Sequence, residues 1–391
     1  MLITPEKNIE VLGNGLYLSP EPANTFIEQL KNCHGQLDKI MADLNRHVIL
    51  LVYFIDARTE KEYHALSATL EKIHLLNYRS PFSIVAQAPV DGTKVNVEVH
   101  HCCKRANPEC KQFEGFNYCT FHYNNNKYLV SGGLQMKTKN SDLQGQSMES
   151  FRLVKGILNS EGMDFSHIFR QWNYIESITG TFSDSQRYQI FNDVRSLFYN
   201  ESDFIQGYPA ATGIGMKTGG VIIDFLAAVH DQVWPVKNPE QVDAHKYSDE
   251  VLANNEFSDQ LKSTTPKFER AKAIALEKDI LMYISGTAAI KGQVSTAKND
   301  AFQQTLETID NIEQLTDIKN LTAHHIPVTD PSCIEPGSFK IYVKTADDLK
   351  RVRSAFESRF GKMNDVLYLI GDICRPELLM EIEGTYRLRK S

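Results

Sequence analysis

The sequence predicts an α+β protein in which mixed sheets carry helices on one face. Three observations predict it. Residues 48–57 (VILLVYFIDA) form an unbroken apolar, β-branched run, the mark of a strand covered on both sides. Helical periodicity lies before and after that run. The C-terminal half then alternates strand, helix, strand, helix, strand.

The elements follow in order. Phe26, Leu30, Leu37, Ile40 and Leu44 fall at helical spacing within 21–46, with Gly35 a point where the helix can bend. Thr59–Asn77 reads as a second helix. Phe82–Ala88 and Val95–His100 read as a strand pair with Asp91-Gly92 as the turn between them. Tyr128–Met136 is a strand in which Gly132-Gly133 allows a bend. Residues 137–146 are polar and loop-like, and Ser147 is the expected cap of a helix to Asn159. Residues 165–178 mix apolar and aromatic side chains with Arg170, Trp172 and Tyr174. Gln186–Tyr199 is an amphipathic helix with Tyr188, Phe191, Val194, Leu197 and Phe198 on its buried side and Arg187 and Arg195 on one flank.

Gly207 to Gly215 is glycine-rich, but these glycines precede a strand (221–229) and no GKS or GKT follows. A tight loop beside a pocket is favoured over a phosphate cradle. Residues 235–270, punctuated by Pro235, Pro239 and Pro266, form a long irregular segment that covers a site or links domains. Ile280–Ile290 is a strand that meets a small-residue turn at Ser285–Ala288. Phe302, Leu306, Ile309, Ile312 and Leu315 make 301–315 an amphipathic helix. Strands at 338–343, 366–370 and 378–382 and a helix at 345–360 complete the chain.

Composition narrows the function classes. At 391 residues the chain is too long for one ordinary core, which suggests two domains or one large composite. A net charge of −7 argues against nucleic acid or an anionic membrane as the main partner. No stretch approaches the ~20 apolar residues of a membrane span. The first residues lack the basic and apolar pattern of an export signal. Seven cysteines without a framework spacing suggest a reduced, cytoplasmic protein.

Two stretches carry candidate chemistry. His100, His101, Cys102, Cys103, Cys110, Cys119 and His122 crowd into 100–122. No CxxC pair is matched by a second CxxC or HxxxH, and a strand sends alternate residues to opposite faces, so packed or surface residues are expected and no metal. Near the end, Cys374, Arg375, Glu377, Glu381 and Glu383 gather a thiol, a guanidinium and three carboxylates. Period two puts Glu381 and Glu383 on one strand face, where mutual repulsion raises the pKa of at least one. Such an acid can donate a proton near neutral pH. The other reading is an edge strand with its charges in water.

Four blocks decide between those readings: Arg170-Gln-Trp172-Asn-Tyr174-Ile, Tyr208 to Gly215, Ile284 to Ile290, and Cys374 to Gly384, with Asn238 to Val242 and Phe268 to Ala271 between them. Together they resemble the chorismatase family, chorismate-cleaving enzymes with a YjgF/Rid-like fold. The resemblance covers roughly 165–391 well and the first 160 residues loosely. It implies two YjgF/Rid-like halves, 1–200 and 201–391, with catalysis in the second, and a monomer or weak oligomer. It makes Glu381 the acid that protonates the methylene carbon of chorismate. Arg375 and Arg270, then Arg187 and Arg170, would bind the substrate carboxylates. Ser285 and Gly286 would offer donors, Tyr208 would line the pocket, and Val242 and Ala288 would help steer water. In the resembling family a cysteine seven residues before the acid goes with 3-hydroxybenzoate as product, and Cys374 stands there. Hydrolysis to a dihydroxycyclohexadiene carboxylate, a Rid-like enamine or imine hydrolase, and a non-catalytic binder of small ligands are the alternatives. No step of the implied reaction needs a metal, nucleotide or redox cofactor.

Overall fold

A computed structural model describes residues 11–136, 142–182, 185–248 and 264–390. Three helix-backed sheets follow one another along the chain. The first holds β1 (Leu16–Leu18), α1 (Phe26–Leu44), β2 (Arg46–Ile55), α2 (Glu60–Asn77), β3 (Phe82–Val85) and β4 (Val95–Cys103). The second holds β5 (Glu109–Phe113), β6 (Phe116–Tyr123), β7 (Asn126–Leu134), α3 (Leu143–Ser160) and β8 (Ile168–Glu176). A two-residue ladder of β9 (Thr181–Phe182) with β10 (Ser185–Gln186) leads to α4 (Arg187–Tyr199), β11 (Ala210–Met216) and β12 (Val221–Val229). The third opens with β13 (Val233–Val236), β14 (Ala271–Ala275) and β15 (Asp279–Thr287). The small ladder of β16 (Ile290–Lys291) with β17 (Val294–Ser295) precedes α5 (Ala301–Thr316) and α6 (Ile318–Ala323). Then come β18 (Ile334–Val343), α7 (Leu349–Phe360), β19 (Val366–Ile370) and β20 (Met380–Arg389).

One topology serves all three. The strand orders β1-β4-β2-β3, β7-β12-β8-β11 and β15-β20-β18-β19 correspond position by position, and the second and third sheets each add two strands at one edge. In each, one pair is parallel (β2/β3, β8/β11, β18/β19), because a helix crosses over between its strands. Each sheet buries one face under its own helices. The opposite faces meet in a common core that takes Leu50, Val52 and Phe54 from β2, Trp172 and Tyr174 from β8, and Tyr342 from β18. Three backbone hydrogen bonds tie the three parallel edge strands together just past their ends: Lys217 N to Ala86 O at 2.9 Å, Gly215 N to Asp372 O at 2.7 Å, and Ile370 N to Ala88 O at 2.9 Å.

The α+β class with two helix-backed halves is present, as the two six-stranded units. The boundary expected at 200/201 is corrected: it falls between α4 and β11, and β11 pairs with β8 of the same sheet. The halves are about 109–229 and 233–389, and the first hundred residues make a smaller third unit. The strand pair expected across Asp91-Gly92 is also corrected. β3 and β4 do not touch as a hairpin; β2 lies between them, parallel to β3 and antiparallel to β4. The parallel α2 crossover takes β3 to the edge, and Asp91 closes a local turn by accepting from Thr93 N at 3.0 Å. Helix α3 starts before Ser147, capped by Asp142, whose Oδ1 accepts from Gly145 N at 2.8 Å. Of the loop expected over 137–146, residues 137–141 lie outside the described residues, as do 249–263 of the irregular 235–270 segment. Strand β11 occupies 210–216, where a loop was expected, and Ser285-Gly286 forms a bulge within β15 rather than a turn. Leu197 of α4 is exposed, contrary to its expected burial.

Helices α3 and α4 meet the second sheet through an aromatic cluster. Phe151 lies 5.4 Å from Phe191, 5.5 Å from Phe198 and 6.2 Å from Phe165, ring to ring, and is fully buried. Phe151→Ala should lower stability by about 3–5 kcal/mol through lost burial and the cavity left behind. A denaturant titration that shows no shift in midpoint would contradict this packing role.

Candidate active site

Strand β20 sits between β15 and β18, so the acidic pair lies at the centre of a sheet and not on a wet edge. Glu381 and Glu383 are both buried on the face turned to the common core, while Met380 and Ile382 pack under α5 and α7. The alternation is the one that period two predicts.

The two carboxylates have opposite surroundings. Glu383 Oε1 meets Lys340 Nζ at 2.8 Å and Trp172 Nε1 at 2.9 Å. Its Oε2 meets Arg170 Nη2 at 2.7 Å and accepts from the Thr212 hydroxyl. Burial disfavours its charge, but Lys340 and Arg170 outweigh burial and hold it below the usual carboxylate range. Lys340 is shared with Glu98 of β4, 2.6 Å away, whose own pKa falls to about 2; burial works against that fall, and Lys340 and His100 overcome it. Glu381 has no ion pair or hydrogen bond among the described residues. Burial first and the Glu383 charge second raise its pKa to about 8, with Arg170 opposing. Glu381 is therefore a neutral acid at neutral pH, beside a carboxylate that stays charged.

Gly286 makes the room for it. A Cβ at 286 would collide with Glu381 Oε1, and Gly286 N donates to Thr212 Oγ1 at 3.1 Å. Thr212 thus links the β15 bulge, Arg170 and Glu383. Cys374 lies partly exposed in the loop before β20. Burial, then Glu381, push its thiol up to about 12, against Arg375, so it stays protonated. Gln186 Nε2 donates to its carbonyl at 3.0 Å.

The expected substrate-binding residues divide. Arg375 and Arg270 flank the ring of Tyr247 at 5.4 and 5.6 Å, and neither makes an ion pair among the described residues. Arg375 Nη1 donates to Gln293 O at 2.9 Å and Ser295 Oγ at 3.1 Å. Arg270 Nη2 donates to Val242 O at 2.7 Å and Tyr247 OH at 2.6 Å, and its buried Nε has no partner. Val242 is thereby tied to Arg270. Tyr208 is half-buried against Phe204, at 4.6 Å, and His245, at 5.4 Å. Ala288 is buried, its carbonyl held by Asn311 Nδ2 at 3.1 Å.

Four of the expected residues are engaged within the protein. Arg170 is committed to Glu383, so its charge is already met. Arg187 donates through Nε to Glu176 O at 2.7 Å and is not brought to Glu381. Ser285 is not a free donor: its hydroxyl donates to Glu269 O at 2.6 Å and accepts from Ala211 N at 2.9 Å, joining the second unit to the third. Gly286 N is likewise spent on Thr212.

Sequence reasoning missed Tyr247, Tyr188, Thr212, Lys340 and the site role of Arg195. Tyr188 has its pKa raised by burial and lies within the electrostatic reach of Cys374, Glu381, Tyr247 and Arg195. Arg195 is almost wholly buried, with Asn192 Oδ1 at 2.6 Å, a partnerless Nε and no carboxylate partner among the described residues. A buried cation without an anion is costly unless a ligand supplies one. The signal for it was present, since Arg195 is four residues after Phe191 and so shares its helix face.

The histidines and cysteines of 100–122 are dispersed. His100 lies 5.1 Å from the ring of Trp172, and His101 contacts Arg46 Nε at 2.5 Å. Cys102 and Cys103 pack in the common core, while Cys110 and Cys119 belong to the next sheet. Among the described residues no group of three or more His, Cys, Asp or Glu side chains is arranged to hold a metal. No helix among them is long and apolar enough to cross a membrane. A separate cleft of about 750 Å³ lies between α2, β3 and β7, far along the chain from the acid. Its Glu176 carboxylate is taken up by Gly219 N at 3.1 Å and Gly220 N at 2.8 Å.

Glu383→Gln removes the anion that opposes ionisation of Glu381. The Glu381 pKa should then fall from about 8, read by carbon-detected NMR titration of its carboxyl. An unchanged value would mean that burial alone sets it.

Residues 111–227, which coincide with the central unit, match the family model described as chorismatase FkbO/Hyg5-like, N-terminal. A 3-hydroxybenzoate synthase of Streptomyces hygroscopicus is 30% identical over 231 residues, covering 57% of this chain and 64% of that protein. A chorismatase of the same organism is 29% identical over 227 residues, covering 58% of this chain and 63% of that protein. The alignments thus span less than two thirds of either relative. A crystal structure of a chorismatase superposes with a TM-score of 0.70 at 22% identity, covering 96% of this chain and 98% of that one. The central unit thus matches the domain that this family model describes, and nearly the whole chain shares the fold of that chorismatase structure.

Proposed function

We propose that the protein cleaves chorismate to pyruvate and 3-hydroxybenzoate, with Glu381 as the proton donor. The observation that carries this reading is the buried, unpaired and protonated Glu381 beside an ionised Glu383. An enolpyruvyl ether breaks when its terminal methylene carbon takes a proton, which leaves an oxocarbenium ion. Proton transfer to carbon is slow, so the acid must be strong enough and held in place. Gly286 and the β15 bulge leave the carboxyl room to turn toward that carbon.

Chorismate carries two carboxylates. Arg375 and Arg270 offer guanidiniums unmatched by anions among the described residues, both beside the Tyr247 ring, and Arg195 adds a third cation beside Tyr188 and Tyr208. Bidentate arginine–carboxylate pairing would fix the substrate against rotation. The Glu383–Lys340–Glu98–Arg170 cluster is neutral in sum, with Arg170 Nη1 left without a hydrogen-bond partner among the described residues, and it sets the field at the acid.

After protonation, attack from within the substrate expels pyruvate, and aromatisation gives 3-hydroxybenzoate. One chorismate then yields one pyruvate and one hydroxybenzoate with no water consumed. Cys374 supports this branch. As a neutral thiol it is a poor acceptor for water, so a water molecule beside the cation is weakly held there. The three sheets close their common core within one chain, which supports a monomer, and seven free cysteines suit a reducing cytoplasm.

Purified protein given chorismate should release pyruvate and 3-hydroxybenzoate in equal amounts; no pyruvate would overturn the assignment. Glu381→Gln should slow release by about 10²–10⁴-fold. Because the acid must hold its proton, kcat/KM should be flat below the raised pKa and fall as pH rises through about 8. A rate that rises through that range would exclude Glu381 as donor. Cys374→Ser, which gives water a firmer partner, should divert product toward the dihydroxycyclohexadiene carboxylate, visible by chromatography. An unaltered product ratio would remove Cys374 from product control.

A further inference from the structure

Two of the cysteines have no part in the chemistry at Glu381, yet they face each other. Cys110 on β5 and Cys119 on β6 are direct partners in an antiparallel ladder, and their Sγ atoms are 2.6 Å apart. β5 is the edge strand of the second sheet, which leaves Cys110 exposed while Cys119 is fully buried behind it. Opposed residues of an antiparallel pair have Cα atoms about 4.5–5.5 Å apart. Disulfides span about 4.4–6.8 Å, so closure requires no movement of either strand.

We propose that Cys110 and Cys119 form a reversible disulfide site, closed by a low-molecular-weight disulfide of the glutathione type. Cys110 reacts first. It is reachable from solvent, and its pKa is lowered, first by the hydrogen bond from Cys119 and then, against burial, by Arg79. The Cys110 thiolate attacks the reagent's S–S bond, forming a mixed disulfide and releasing one small thiol. Cys119 then gives up its proton and attacks the Cys110 sulfur, which forms the protein S–S bond and releases the second small thiol. Two protein thiols are oxidised by two electrons, and the reagent is reduced to two thiols. Excess thiol reverses both steps. Cys102, within electrostatic reach of both sulfurs, lies on β4 of the first sheet, whereas Cys119 stands directly opposite Cys110 in the ladder.

The bond has a structural consequence at a distance from Glu381. The same β5–β6 hairpin supplies Gln112, Gly115, Phe116 and Asn117 to the wall of the 750 Å³ cleft. A covalent link between the two strands fixes that wall.

The test uses the whole protein with glutathione disulfide, followed by denaturation, thiol counting and peptide mapping. The count should fall from seven to five (7 − 2), with the link mapped to Cys110 and Cys119, and dithiothreitol should restore seven. Cys119→Ser should stop at a lasting mixed disulfide on Cys110, and Cys110→Ser should take up no reagent on this hairpin. Seven thiols after treatment, a mixed disulfide that persists in the unsubstituted protein, or a link between any other two cysteines would overturn the proposal.

Discussion

The structure turns on the difference in ionisation between two carboxylates on one strand face. Glu383 is buried with Lys340, Arg170, Trp172 and Thr212 around it and remains charged. The Glu381 carboxyl, on the same face, is buried with no partner among the described residues and remains neutral. Burial is the larger cause of the neutral Glu381, and the Glu383 charge adds to it. Had Glu383 lacked its cations it would take up a proton, and that added field would go. Had Glu381 met a cation it would ionise. Burial by itself treats both alike; the placement of two cations distinguishes them.

That placement draws on all three sheets. Arg170, Trp172 and Thr212 come from the second unit, Lys340 and both acids from the third, and Glu98 from the first. The first unit reaches the acid pair through Lys340 and through His100 against Trp172, while the second borders the acid across the β11–β15 contact. Ser285 illustrates the cost of such a junction in functional groups. Its hydroxyl, expected to serve a ligand, is consumed in joining units, and its amide in pairing with Arg270 O. Backbone and hydroxyl groups at a buried seam must find partners there, and the seam takes them before a substrate can.

What was legible in the sequence was what local periodicity records. The α+β class, the helices with apolar stripes, the alternation at Glu381 and Glu383, and the block around Cys374 could be read residue by residue. Position in a sheet could not. Nothing in 378–384 distinguishes a central strand from an edge, and that distinction decides whether the acids are wet or dry. Pairing across the chain was equally hidden: the hairpin read at Asp91-Gly92 failed because β2, some forty residues earlier, inserts between its supposed partners. Arg170 and Arg195 show the same limit. Both are arginines among apolar residues, and only the fold tells that one meets Glu383 while the other meets no anion among the described residues.

The repeated topology has a consequence for how the site could change. Register equates Glu381, opposite Tyr342, with Ile222, opposite Tyr174, and with Asn96, opposite Phe54. A ring of three identical chains would carry any substitution at three junctions at once, and a change that suits catalysis at one must be tolerated at the others. Linking the three units in a single chain removes that coupling. An acid, an amide and a hydrocarbon occupy the same topological place, so one junction can be tuned for proton donation while its two counterparts drift toward other uses.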